Sequence, residues 1–183
     1  MPIFAIGDKV PRIDPSAFIA PTASVVGDVR IESGVSIWYG AVVRGDTNYI
    51  HIAQDANIQD GAIIHGRDGF PVLIGKKASI AHNCVVHGAT IGEGALIGNG
   101  ALILDGCNIG SRTLVAAGAV VLPDLDVPAE MLVVGAPAVV KRTIAGSQSE
   151  EWVNRNPEIY SHLAALHKNK MTEITRDDPR LHR

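Results

Sequence analysis

Residues 91–121 read IGEGAL-IGNGAL-ILDGCN-IGSRTL-VAAGAV-V, with one aliphatic residue at the head of each group of six. The heads are Ile91, Ile97, Ile103, Ile109, Val115 and Val121. Upstream the same step links Ile19, Val25, Ile31, Ile37 and Val43, then Ile52, Ile58 and Ile64, then Ile74, Ile80 and Val86. Three extra residues separate the first two runs, four separate the second from the third, and one five-residue step joins Val86 to Ile91. Four residues after the heads stand small or β-branched residues, among them Ala23, Val29, Ala41, Ala62, Ala78, Cys84, Ala101, Cys107, Thr113 and Ala119. A period of six fits neither an amphipathic helix nor a hairpin. It is the repeat of a parallel β-helix, in which each hexapeptide gives one short strand and one turn. Three hexapeptides close a triangular coil of about 18 residues, and coils stack at a strand spacing of roughly 4.8 Å. The aliphatic head points inward and the small residue fills the corner region.

The composition agrees with a narrow interior. Aromatic residues make up only 4% of the 183-residue chain, whereas there are 19 glycines. Glycines such as Gly27, Gly40, Gly94 and Gly100 suit turns of unusual backbone angle. Hydrophobic residues at 46% and charged residues at 19% exclude a disordered chain. With 16 Lys+Arg against 19 Asp+Glu, the net charge of −3 lacks the basic excess of a nucleic-acid binder. Cys84 and Cys107 both fall at the small interior position and read as buried core thiols. The N-terminus has no basic segment followed by an apolar run, and no stretch approaches the roughly 20 apolar residues of a membrane span. The expectation is a soluble cytoplasmic protein.

The repeat places a β-helix, with its N-terminal cap and closing loop, over residues 1–140. A helix is expected over 147–171, capped by Ser147 or Ser149, with Glu150 and Glu151 in its first turn. Trp152, Ile159, Tyr160, Leu163 and Leu166 form its expected apolar stripe, and Pro157 predicts a kink or restart. Residues 172–183 form a polar tail.

Register then decides which of seven histidines can act together. The residue after an inward head points outward. His65 follows Ile64 and His87 follows Val86, so both point out from one face on adjacent coils. Arg44, after Val43, occupies the same column one coil earlier. Asp60 and His82, each two residues after a head, form an outward column on another face, and Trp38 and Gln59 form a third column there. Two stacked imidazoles can converge on one ion, and a third ligand is wanted. Within one chain His82 points away from the pair. A three-fold assembly of triangular prisms sets one face against a different face of the neighbour, so His82 of one chain joins His65 and His87 of the next. That predicts a homotrimer with metal sites at its interfaces. Three neutral nitrogens suit Zn2+ with one position open, and Fe2+ or Co2+ are compatible. His51, in the three-residue insertion, His162 and His167, on the helix, and His182, in the tail, are assigned no role.

Arg44-Gly45-Asp46, Asn57-Ile58-Gln59-Asp60-Gly61, His65, Ala81-His82-Asn83 and Val86-His87-Gly88 together closely resemble the γ-class carbonic anhydrases. The resemblance runs from about residue 11 to the helix containing Tyr160. It implies an all-β left-handed parallel β-helix with a C-terminal helix, assembled as trimers, and His65, His82 and His87 as zinc ligands. It also implies that Arg44 and Asp46 form an intersubunit ion pair, with the arginine on the substrate side. Gln59 would hydrogen-bond metal-bound water, supported by Asp60 and Asn57, and Tyr160 would reach toward the site from the helix. The implied reaction is reversible hydration of CO2 to bicarbonate. Two features depart from the pattern of active members. Their acidic loop after the first ligand is here Gly66-Arg67-Asp68-Gly69-Phe70-Pro71, with a single acid, and Thr47 replaces a glutamate after Asp46. These departures bear on turnover rather than on the ligand set.

Two other functions belong to different classes. Many hexapeptide β-helices are acyltransferases or act on CoA thioesters, which calls for a general-base histidine beside a cofactor cleft. A trimer that binds metal without turnover is the other.

Overall fold

The structure, a computed structural model, describes residues 2–182. The side chain of His182 and the last residue of the polar tail, Arg183, lie outside the described residues. A left-handed parallel β-helix of about seven coils carries one long helix, Gln148–Lys170.

Every head stacks on a head. Val43, Ile64, Val86, Ile103 and Val121 are successive partners on one face. Ile58, Ile80, Ile97, Val115 and Val133 run up another. Ile52, Ile74, Ile91, Ile109 and Val127 run up the third. These side chains are buried throughout. Branched aliphatics suit this stacking because each has few rotamers and packs on its own kind above and below. Ser24–Ile31 and Val42–Ile52 pass through a corner without a break, joining two faces into one twelve-stranded sheet beside the eight-stranded third face.

The turns need left-handed backbone angles at many corners. At Gly27, φ +80°, a Cβ would collide with the backbone carbonyl of Gly45. Next to it the Val42–Ile52 strand takes up the three-residue insertion as a register shift. His51 is therefore not in the insertion. It lies in the strand opposite Arg30 and Leu73 and points outward to Glu32, 2.9 Å away. The four-residue insertion forms a small loop, closed by a bridge between Arg67 and Phe70. Met131–Gly135 and Ala138–Thr143 pair antiparallel beside the last coil and end the parallel stack.

The helix differs from expectation in two ways. It runs through Pro157 as one element without a restart, and Pro157 sits buried on the inner face. The stripe also shifts by one position. Val153, Pro157 and Ala164 are the buried residues, with Tyr160 and Leu163 packed against the core. Trp152, Ile159 and Leu166 are exposed instead. Ser147 is the N-cap residue, though its hydroxyl turns back to the Ile144 carbonyl. Arg112 ties the helix to the coils through Glu150 and Asn154, while also pairing with Glu130. At the other end His167 bonds Tyr39 and packs edge-on against Trp38.

Both cysteines are free and buried, as core thiols. Burial pushes the Cys84 thiol up to about 11. Among the described residues, no helix is long and apolar enough to cross a membrane.

Candidate metal centre

On the first face Arg44, His65 and His87 are direct partners on three successive coils. His65 Nδ1 lies 3.1 Å from His87 Nε2. The outer nitrogen of each ring meets a carboxylate. His65 Nε2 is 3.0 Å from Asp46 Oδ1, and His87 Nδ1 is 2.5 Å from Asp105 Oδ1. Each carboxylate is in turn held by an arginine: Asp46 by Arg44, and Asp105 by Arg67 Nε at 2.5 Å. Burial pushes the Asp46 carboxyl up, but hydrogen bonds from Arg44 and His65 and the arginine charge outweigh it, holding the group at about 2. Asp105 is likewise held below the usual carboxylate range, burial being outweighed by Arg67 and His87.

This arrangement has a chemical consequence. A neutral imidazole carries one N–H and one lone pair. Two ionised carboxylates accept the two outer N–H groups. The two inner nitrogens are then both acceptors, facing each other at hydrogen-bond distance. Two facing lone pairs call for an electrophile between them, and the outer carboxylates are the partners that orient metal-binding histidines.

The second face carries the other half. His82 Nδ1 is 3.0 Å from Asp60 Oδ2, and its Nε2 is 3.1 Å from the Tyr160 hydroxyl on the helix. Burial, with the Asp60 charge, pushes the Tyr160 phenol up to about 12, so it stays protonated and donates to His82. Gln59 is buried under the helix, where its amide donates to Asn57 Oδ1 at 2.9 Å and to Asn156 Oδ1 at 3.3 Å. Asn57 donates onward to Ser79 Oγ at 2.8 Å.

One chain thus brings together Arg44, Asp46, His65 and His87 on one face, and Asn57, Gln59, Asp60, His82 and Tyr160 on another. It does not join the two halves. Among the described residues no three His, Cys, Asp or Glu side chains gather around one point. The donor set still fits a metal: three histidines, each anchored through one ring nitrogen by a carboxylate. Arg44 and Asp46 pair within one chain.

Sequence reading missed Asp105, Arg67 and Asn156. Asp105 lies 18 residues after His87, but the coil there has 17, since Val86 pairs with Ile103, so the carboxylate sits one position past the register partner of His87 and counting alone does not single it out. Arg67 and Asn156 depend on how a loop and a helix fold back, which the period does not encode. The His51–Glu32 pair was also missed, since it needs the register shift.

Repeat and coils define a hexapeptide-repeat protein. Residues 88–123 match the family described as bacterial transferase hexapeptide (six repeats). The chain is 38% identical over 166 residues to gamma carbonic anhydrase 1, mitochondrial, of Arabidopsis thaliana, covering 87% of this chain and 60% of that one. It is 33% identical over 187 residues to carnitine operon protein CaiE of Salmonella agona, covering 99% and 94%. A hexapeptide transferase family protein from Anaplasma phagocytophilum superposes with a TM-score of 0.85 at 31% identity, covering 90% of this chain and 96% of that one. A Bacillus cereus protein described as a suspected acetyltransferase gives 0.89, also at 31%, covering 92% and 98%. This chain belongs to the left-handed β-helix family that includes the gamma carbonic anhydrases and CaiE. It spans about 60% of the length of the Arabidopsis relatives.

Proposed function

We propose that this protein is a metal-dependent lyase of the γ-carbonic anhydrase type, interconverting CO2 and bicarbonate at sites between the subunits of a homotrimer. One observation carries the reading. His65, His87 and His82 are each anchored by a carboxylate, yet the set is divided between two faces of a triangular prism. Three prisms around a three-fold axis close such a set, because one face of each meets a different face of the next. An aliphatic column beside the histidines supports that packing. Val42, Ile63, Val85, Leu102 and Val120 stand in register, pointing out. Ile63, at 36% exposure, is the kind of apolar side chain that a second copy would cover.

Zinc held by three imidazoles with one open position would supply a Lewis acid that activates water near neutral pH; Fe2+ or Co2+ would suit the same nitrogens. The chain's own residues supply the rest. Asp46, Asp105 and Asp60 take the outer N–H groups and leave one lone pair on each ring. Gln59, fixed by Asn57 and Asn156, presents a rigid amide on the His82 face to orient water or substrate. Arg44 sets a cation beside His65, where a bicarbonate anion would form. Tyr160 caps the free lone pair of His82 in the metal-free chain and would give it up to the ion.

The test is metal content with stopped-flow CO2 hydration. About one metal per subunit, and hydration that falls on chelation and returns on reloading, is the expected result. Bound metal without hydration would reduce the protein to a metal-binding trimer. A second reading, acyl transfer from CoA esters, is favoured by the His51–Glu32 pair, which has the geometry of a carboxylate-oriented base. Hydrolysis of acyl-CoA esters that His51→Ala abolishes would support it over the lyase.

A further inference from the structure

The 66–71 loop is where this chain departs from the acidic pattern, and it folds back along the histidine column. Its Arg67 guanidinium lies over the Phe70 ring, 4.4 Å from the centroid. Phe70 in turn lies close against Gly88 and Gly106, whose lack of side chains leaves room for the ring. So placed, Arg67 reaches Asp105 Oδ2 at 2.5 Å, and the other oxygen of that carboxylate reaches His87 Nδ1 at 2.5 Å. Asp105 comes from the next coil, two residues after Ile103, the head stacked on Val86. The three residues form a chain from loop to ring, with each Asp105 oxygen committed to one neighbour.

We propose that Asp105, braced by Arg67, is the positioning residue that fixes His87 with Nδ1 protonated and Nε2 turned toward His65. A carboxylate with one oxygen held by a guanidinium has lost its own freedom to rotate. It therefore holds the imidazole in one tautomer and one orientation, rather than following it. The role played on His65 by Asp46 and Arg44 is repeated on the next coil by residues from a different segment. The loop thereby takes part in building the centre without supplying a ligand. This inference rests on reading His87 as a metal ligand, but its first test does not need metal.

That test is the His87 tautomer in metal-free protein, read from long-range 1H–15N correlations above the ordinary imidazole titration range. Wild type should show the Nδ1–H form. Asp105→Asn, which keeps an acceptor oxygen, should retain it, and Asp105→Leu should lose it in favour of a mixture or the Nε2–H form. Arg67→Gln should broaden the His87 signals while leaving the Nδ1–H form in the majority. Unchanged tautomer and line width in Asp105→Leu, with the trimer folded by its melting transition, would overturn the proposal. Zinc affinity by chelator competition is the second readout. Asp105→Leu should bind roughly 10- to 100-fold more weakly than wild type, with recovery in Asp105→Asn. A wild type that binds no zinc but keeps the fixed tautomer would sink the metal reading and leave the positioning role intact. Equal zinc affinity in all three proteins would sink its effect on the metal.

Discussion

His65 and His87 turn a nitrogen each toward the other, Nδ1 to Nε2 at 3.1 Å, while carboxylates occupy the opposite nitrogens of both rings. In the proposed centre this pair is one half, and His82, the third histidine, stands on another face beside Tyr160. Ligands on two faces make subunit mixing informative. His82→Ala protein lacks one half and His65→Ala protein the other. Co-refolded mixtures should regain metal at those interfaces where an intact His82 face meets an intact His65–His87 face. Metal measured on separated mixed trimers checks this, and no recovery above the parents would overturn the division of the ligands between two chains.

Tyr160 donates to His82 Nε2, the nitrogen that the proposed centre would use. Tyr160→Phe removes that hydroxyl and keeps the ring packed on Trp38, 5.3 Å between centroids. The protein should therefore stay folded, and zinc affinity should rise or hold, since the nitrogen no longer has a competing donor. Chelator competition reads this directly. A large fall in affinity would mean that the hydroxyl supports the bound ion.

Ile80 is fully buried between Ile58 and Ile97 in the aliphatic ladder. Ile80→Ala leaves a cavity that the stacked neighbours cannot fill without moving their own strands. A cost of about 2 to 5 kcal/mol is expected in denaturant unfolding. The same change lies two residues before His82, so metal affinity should weaken in the folded fraction as well.

Gly27→Ala is expected to be worse than its size suggests. The residue sits at φ +80° with the Gly45 carbonyl where the methyl would go. Left-handed backbone alone costs an L-residue roughly 1 to 2 kcal/mol, and the collision adds to it. Loss of soluble protein, or a melting point several degrees lower, should follow. Gly100→Ala is the control, since its Cβ would meet open space and only the backbone term applies.

Cys84 gives a pH prediction. Its thiol is pushed by burial from 9.0 to about 11, so the folded protein keeps it protonated where an unfolded chain ionises it. Its contribution to stability is full below pH 9 and declines from there up to about pH 11. Native protein should resist alkylation at neutral pH and react on unfolding. Cys84→Ala should flatten the alkaline part of the stability curve.

The ladder of heads was legible residue by residue, because a six-residue period allows one stacking register and each inward position demands an aliphatic side chain. The columns were legible for the same reason: Arg44, His65 and His87 follow successive heads on one face, and their pairing is set by counting. The helix was less so. Its inner face turns on Val153, Pro157 and Ala164 rather than on the larger Trp152, Ile159 and Leu166. Tyr160 and Leu163 of the expected stripe do pack on the core, but hydrophobicity alone ranks Trp152, Ile159 and Leu166 above the smaller residues that are buried.

By itself the sequence determined the parallel coil, its triangular section and the division of three histidines between two faces. These follow from a strict period, in which position along the chain maps directly onto position in space. Only the tertiary structure decided what holds each ring. The Arg67–Asp105–His87 chain, the Tyr160 hydroxyl on His82 and the Asn156 amide beside Gln59 all join segments outside the repeat to residues within it. A loop and a helix return to the coils by packing and charge, and no periodicity records where they land.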